Sequence, residues 1–190
     1  MSEELIKSVQ DMLKEETWTR ATISNYTKNN LMELATIVER AHNENCANEI
    51  QEICNEQLAN TKDSIIALYI SGMISLKNRT LDNSALVALV DIFQKNMKES
   101  IVEYLCQSIL DDDPNNKFAL RTLAEYYRSI NDEKVWELYN QIVKLDFEEA
   151  DLTKALAEHY EAEGDNETAI EYYKKAILRY VNIKNMNATK

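Results

Sequence analysis

Apolar side chains recur along this chain at the three-to-four-residue spacing of amphipathic helices, in blocks of ten to fifteen residues set apart by short polar clusters. Leu5, Val9, Met12 and Leu13 predict a first helix from about Ser2 to Glu16, with Ser2 as its N-cap and Glu3 and Glu4 in its first turn. A polar connection from Thr17 to Lys28 follows, in which Trp18, Ile23 and Tyr26 are the packing points. Asn30 with Glu33 reads as a capping box for a helix carrying Leu31, Leu34, Ile37, Val38 and Ala41. Ile50, Ile53, Cys54 and Leu58 form the next stripe. After a turn at Asn60-Thr61-Lys62 come Ile65, Ile66, Leu68, Tyr69 and Met73. Gly72 lies inside that helix, where glycine costs about 1 kcal/mol relative to alanine, so its place there implies the close approach of another helix.

Two more helices, about Asn83 to Asn96 and Glu99 to Leu110, lead to the single proline in Asp113-Pro114-Asn115-Asn116, which closes one unit and opens the next. Beyond it Leu123-Ala124-Glu125-Tyr126-Tyr127 returns 33 residues later as Leu156-Ala157-Glu158-His159-Tyr160. Repetition at this period marks arrays of helical hairpins, each burying its apolar face against the next. The segment from Ala150 to Tyr180, with Gly164-Asp165 at its turn and Ala169, Tyr173 and Ala176 on its second helix, resembles the tetratricopeptide repeat. Lys117 to Asp146 resembles it less closely. Its second helix aligns at 34 residues (Val135 with Ala169, Tyr139 with Tyr173), its turn lacks glycine, and Val135 and Trp136 stand where smaller groups are usual. Leu86, Leu89, Val90 and Phe93 with Val102 and Ile109 suggest a degenerate third unit. The expected architecture is all-α, an antiparallel α-hairpin array forming an α-α superhelix of about ten helices. It is read as one domain over 1–190: a degenerate helical part at 1–82, a degenerate repeat at 83–116 and two tetratricopeptide-like repeats at 117–182.

Composition fits: two glycines and one proline in 190 residues leave few chain breakers. No apolar run reaches the roughly 18 residues of a membrane span, and the acidic start Met1-Ser2-Glu3-Glu4 is unlike a signal peptide. Three cysteines, an odd number without close spacing, agree with a reducing compartment, so a cytoplasmic protein is expected with no membrane contact. The formal net charge of −12 opposes tight binding to a phosphate backbone. The last stretch is locally basic (Lys174, Lys175, Arg179, Lys184, Lys190), which at a helix end complements the macrodipole. Ile177, Leu178, Tyr180, Val181 and Ile183 near the C-terminus have no polar terminal helix to cover them, so further helices are expected to follow.

The candidate chemical sites read as structural. His42, Cys46 and Cys54 are spaced to share a helix flank, but a zinc site needs four convergent ligands at tighter spacing. His159 has acids within reach, yet the matching residue one repeat earlier is Tyr126, which indicates packing and not a general base. Asp111-Asp112-Asp113 runs straight into proline and ends a helix instead of looping around calcium. Most of the ten tyrosines fall on helical stripes, not among lysines and arginines as in a base-stacking platform. No catalytic residue, metal ligand or cofactor site is assigned, and an enzyme is not expected.

What remains is a surface for another protein. By analogy with the repeat family, the groove-facing positions are Lys117, Arg121, Glu125 and Arg128 on one helix and Asp151, Lys154, Glu158 and Glu161 on the next repeat. Lys117, Arg121, Glu125, Arg128, Lys154, Glu158 and Glu161 are the candidate partner-binding residues. Acids stand where the family's carboxylate clamp has asparagines, so the rows read as a mixed-charge solvated face, with an extended or helical segment bearing basic groups as the alternative ligand.

The segments Ser64-Ile65-Ile66-Ala67-Leu68-Tyr69-Ile70-Ser71-Gly72, Ile101-Val102-Glu103-Tyr104-Leu105-Cys106 and Asn116-Lys117-Phe118-Ala119-Leu120-Arg121-Thr122-Leu123-Ala124-Glu125 are similar to the long helical extension that precedes the Gre module in certain oversized bacterial GreA-type transcription elongation factors. The resemblance covers essentially the whole chain. It implies a fragment of a longer protein whose family rescues backtracked RNA polymerase by stimulating transcript cleavage from an acidic coiled-coil tip. No helix pair here shows such a coiled coil, so no activity residue is carried over. The implied role is a non-catalytic docking or tethering module for RNA polymerase or another elongation component. The alternative is a free-standing adaptor or co-chaperone that binds peptides in its concave groove.

Overall fold

The computed structural model describes residues 2–19, 23, 26–80, 82–145 and 149–188. Among them ten helices follow one another with no strand: α1 (Ser2–Thr19), α2 (Lys28–Asn43), α3 (Ala47–Asn60), α4 (Ile65–Lys77), α5 (Ser84–Lys95), α6 (Glu99–Asp112), α7 (Lys117–Ser129), α8 (Lys134–Leu145), α9 (Ala150–Ala162) and α10 (Asn166–Ala188). The chain forms two compact units, Met1–Pro114 and Asn115–Lys190. The all-α class of antiparallel hairpins is the one the apolar spacing predicts.

In the first unit α4 is the axis. Every residue from Ile65 to Leu76 is buried, and α4 packs against α1, α2, α3, α5 and α6. A helix that is apolar all round is stable only where neighbours cover each side. Its two polar positions face α3, which runs antiparallel: Gln51 Nε2 donates to Ser75 Oγ at 2.6 Å and Ser71 Oγ donates to Asn55 Oδ1 at 2.8 Å. At Gly72 an added Cβ would stand 2.7 Å from the Leu86 side chain, so α5 is the helix that the glycine admits. Leu86, Leu89, Val90 and Phe93 of α5 and Val102 and Ile109 of α6 are buried as their spacing predicts.

Both ends of α4 are fixed by side chains from far along the sequence. At its start Glu16 accepts from Tyr26 Oη at 2.9 Å, Ser64 Oγ at 2.5 Å, the Ile65 N–H at 3.0 Å and the Ile66 N–H at 3.3 Å. At its end Lys77 bridges Glu39 of α2 at 2.8 Å and Asp112 of α6 at 2.9 Å. Burial pushes the Lys77 ammonium down, but hydrogen bonding and charge from Glu39 and Asp112 outweigh it and hold it above the ordinary lysine value.

Two local expectations change here. The N-cap of α2 is Thr27, in extended backbone, with Asn30 at N3: the Thr27 N–H and Oγ1 each donate to Asn30 Oδ1 at 2.9 Å. Asn30 therefore closes the capping box instead of opening it, because threonine three residues earlier already supplies the extended cap. His42 and Cys46 do not share a helix flank with Cys54. His42 ends α2, with Nδ1 2.9 Å from the Val38 carbonyl, while Asn45 turns the chain at φ 57° and Cys46 caps α3. Tyr26 is buried and Ile23 half-buried, and the Trp18 side chain lies outside the described residues.

The second unit is built from hairpins α7/α8 and α9/α10, with α8 packed on α9. Their turns are equivalent at 33 residues. Asn131 at φ 53° and Gly164 at φ 81° hold the left-handed position, and the next residue's N–H returns to Tyr127 O or Tyr160 O at 2.9 Å. Asparagine tolerates that conformation, so the first turn does without glycine. The one-residue offset enters just after the shared aspartate: Asp132 Oδ1 accepts from the Lys134 N–H at 2.9 Å, Asp165 Oδ1 from the Thr168 N–H at 3.1 Å. Leu120, Leu123 and Ala124, then Leu156, Ala157, Ala169 and Ala176, form the core.

Arg179 departs from the helix-end reading. α10 continues to Ala188, which places Lys174 and Lys175 well inside it. Arg179 is 9% exposed. It donates to Thr153 Oγ1, to Val143 O near the end of α8 at 3.2 Å and to Glu149 O at 3.4 Å. The guanidinium fork satisfies carbonyls from two elements at once, a task for its several donors more than for its charge. Lys190 lies outside the described residues.

Candidate partner-binding face

The steps Lys117, Arg121, Glu125, Arg128 and Asp151, Lys154, Glu158, Glu161 keep each row on one side of its helix. The other sides of α7 and α9 are occupied by Leu120, Leu123, Ala124 and Tyr127 and by Thr153, Leu156 and Ala157, all buried. All eight row residues are exposed. The α7 row is mainly cationic and the α9 row mainly anionic.

The structure brings some of these groups together. Arg121 pairs with Glu149, the N-cap residue of α9, and so ties the first hairpin to the start of the second. Lys154 and Glu158 pair at 3.0 Å within one turn of α9. The ends of the α9 row are engaged from α10: Tyr173 Oη donates to Glu161 Oε2 at 2.7 Å, and Tyr180 Oη donates to Asp151 Oδ1 at 2.5 Å. Those carboxylates hold both phenols up, Tyr173 to about 12, chiefly through the hydrogen bonds themselves. Glu125 and Arg128 complete the α7 row without a side-chain bond to the α9 row. The arrangement offers charge and hydrogen-bonding groups on fixed helices. Among the described residues no group of three or more His, Cys, Asp or Glu side chains could hold a metal ion.

Beside this face lies a cluster of aromatic and amide groups that sequence reasoning missed. Trp136 of α8 and His159 of α9 stack with centroids 4.1 Å apart and planes at 7°. Tyr160 and Tyr172 stack at 5.5 Å. Asn140 joins them, donating to Tyr160 Oη at 3.2 Å and accepting from Tyr172 Oη at 2.6 Å. Burial, then the neighbouring Tyr160, raises the Tyr172 phenol. Trp136 stands where the repeat usually has a small residue, its ring covered by the face of the His159 imidazole, and His159 takes the packing role that its repeat partner Tyr126 implies. The signal available beforehand was the departure of Trp136 from the repeat pattern; Asn140 gave none.

Over 183 residues, 96% of this chain, the sequence is 33% identical to the transcription elongation factor GreA of Borreliella burgdorferi (strain ATCC 35210 / DSM 4680 / CIP 102532 / B31). Over 156 residues, 82% of the chain, it is 43% identical to a putative GreA-associated domains protein of Treponema pallidum (strain Nichols). The chain is similar to part of GreA-type proteins. It spans 20% of the first relative and 24% of the second. The resemblance to the helical extension of such a factor is thereby matched along nearly the whole chain. No model of a known family matches. Among solved structures, a crystal structure of MamA aligns over 95% of this chain and 89% of its own, with TM-score 0.38 and 17% identity. A MamA RS-1 ArsTM double mutant aligns over 82% and 97%, with TM-score 0.45 and 18% identity. No helix among the described residues is long and apolar enough to cross a membrane.

Proposed function

We propose that this chain is a non-catalytic protein-interaction module of a GreA-type transcription elongation factor, one that docks the factor on RNA polymerase or on another elongation component. The observation that carries the reading is the match to a GreA protein over 96% of the chain. The α7 and α9 rows, rigidly presented and of mixed charge, are the surface through which it acts. The net charge of −12 disfavours duplex DNA as the partner, because counterion release cannot drive binding to an anionic surface. A tether raises the effective concentration of an attached cleavage module without entering the chemistry.

The test adds this 190-residue chain in trans to a transcript-cleavage assay driven by a full-length GreA-type relative. The chain alone leaves backtracked transcripts uncut. As a competitor it raises the concentration of factor needed for half-maximal cleavage while the maximal rate is retained. Reversing Arg121 and Arg128 to glutamate abolishes that competition. A chain that neither competes nor co-purifies with polymerase removes the docking role and favours the free-standing adaptor, for which peptide binding in the same groove is the readout.

A further inference from the structure

A cleft of about 230 Å³ lies between α3, α4 and the start of α5 in the first unit. Along it Gln51 with Ser75 and Asn55 with Ser71 form two rungs one helical turn apart. The rungs fix both carboxamides. Gln51 Nε2 also lies 3.4 Å from the Ser71 carbonyl, which can only accept, so its nitrogen and not its oxygen is turned to α4. Asn55 in turn gives its oxygen to the Ser71 hydroxyl. This leaves Gln51 Oε1 as an acceptor and Asn55 Nδ2 as a donor with no partner among the described residues. Because α3 and α4 run antiparallel, Leu58, Leu68 and Lys62 line one end of the cleft, and Asp82, past the end of α4, lines the other. Neither Lys62 nor Asp82 makes an ion pair among the described residues.

These features select an occupant. The cleft falls below the size of small-molecule pockets, about 300–1,000 Å³ and mostly apolar, and it lacks the run of apolar seats that holds a helix. An extended chain fits it. Gln51 and Asn55 stand four residues apart on α3, about 6 Å along its axis, close to the roughly 6.6 Å that two residues of extended chain span. We infer that this cleft binds an extended segment of a partner protein through its main chain, with Gln51 Oε1 accepting from one N–H and Asn55 Nδ2 donating to a C=O two residues away. Leu58 and Leu68 seat an apolar side chain, and Lys62 and Asp82 select a segment that is acidic at that end and basic at the other. The site belongs to the first unit and does not depend on the charged rows of the second.

The probe is a designed peptide of about eight residues, alternating serine and valine between a leucine–glutamate pair at one end and a lysine at the other, made in both chain directions. NMR titration of the 190-residue chain should show one direction binding at least about fivefold more tightly, with the side-chain carboxamide signals of Gln51 and Asn55 shifting. Methylating the peptide's main-chain nitrogens one at a time should weaken binding most, by about tenfold, at the single nitrogen that meets Gln51. Asn55→Ala, at an exposed site, should weaken it by about fivefold with the circular-dichroism spectrum and melting temperature unchanged. Lys62→Glu should turn the preference towards a peptide whose glutamate is replaced by lysine. Carboxamide signals that stay still overturn the inference, as do equal tolerance of methylation at every nitrogen, an Asn55→Ala chain that binds like the parent, or no binding at about 1 mM. Shifts confined to α7 and α9 assign the peptide to the charged rows, which also overturns it.

Discussion

Removing the Glu16 carboxylate should destabilise the first unit more than any other change at a residue outside its core. The group sits at the N-terminus of the helix against which every other helix of the unit packs, and it accepts from four donors. Two of these, the Ile65 and Ile66 N–H groups, belong to the first turn of α4, where no intrahelical acceptor exists. A hydrogen bond to a charged acceptor contributes about 1.5–3 kcal/mol net, and a favourable charge at a helix N-terminus about 0.3–1 kcal/mol. Simple addition overshoots, since the longest of the four is 3.3 Å, solvent replaces part of what is lost, and Ser64 still caps the Ala67 N–H at 3.2 Å. Glu16→Ala should therefore cost about 2–4 kcal/mol. Glu16→Gln, which keeps one carbonyl acceptor but no charge, should cost about half as much.

Urea unfolding followed by circular dichroism gives the magnitude, and hydrogen exchange gives the location. In Glu16→Ala the amides of Ile65 and Ile66 should lose protection beyond the global change, while those of α9 and α10 should not. Tyr26→Phe removes one of the four donors, and its effect should shrink in the Glu16→Ala background by about 0.5–1.5 kcal/mol, the coupling expected of directly bonded partners. A loss below about 0.5 kcal/mol for Glu16→Ala at unchanged m-value, or additive effects in the cycle, would refute the clamp.

Leu156→Ala, at a site 0% exposed, should cost about 2–5 kcal/mol by urea unfolding, and less than about 0.5 kcal/mol would place the buried face elsewhere. Ala176→Leu should overpack the α9/α10 hairpin and cost roughly 1–3 kcal/mol, whereas Glu167→Ala, on the exposed side, should lie within about 0.5 kcal/mol of the parent. Gly72→Ala gains about 1 kcal/mol of helix propensity but drives a methyl to 2.7 Å from Leu86, so the net should be destabilising, and Leu86→Ala in the same chain should relieve the clash. Burial, then the Glu16 charge, pushes the Cys54 thiol up to about 12. Below the ordinary thiol value both states hold the proton and stability is complete. Above it only the unfolded chain ionises, so the melting temperature should fall from about pH 9 upward, and less steeply in Cys54→Ala.

The sequence made the helices legible because apolar spacing is local, and it made the second unit's packing legible because a repeat states its own register. Ala169 and Ala176 could be assigned to the helix contact before any coordinates, and both are 2% exposed. The features it hid are long-range or chemical coincidences. Glu16 reads as the last turn of α1, and nothing local says that it caps a helix starting 49 residues further on. Arg179 reads as one cation among several near a C-terminus, since burial of an arginine depends on carbonyls offered by Val143 and Glu149. The continuous apolar run of α4 does announce a fully buried helix, but periodicity cannot say which neighbours surround it. Of the candidate face, the exposure of both charged rows was readable; the Arg121 pairing with Glu149 was not, because the acid lies in the turn before its repeat.

That pairing bears on which charges a partner can use. Arg121 is engaged by Glu149, Lys154 and Glu158 engage each other, and Asp151 and Glu161 accept phenol hydroxyls from α10. An ion pair at this exposure contributes at most about 1 kcal/mol, so a partner group can displace any of these contacts at small cost. Glu125 and Arg128 need no displacement, and an incoming cation or anion meets them first. Because the rows are exposed, binding there should weaken steeply between about 50 and 300 mM salt, as surface charges are screened over roughly 10 Å at 0.1 M. A salt titration checks this without a substitution: binding at the rows that survives about 300 mM salt unchanged would show that charge does not carry it.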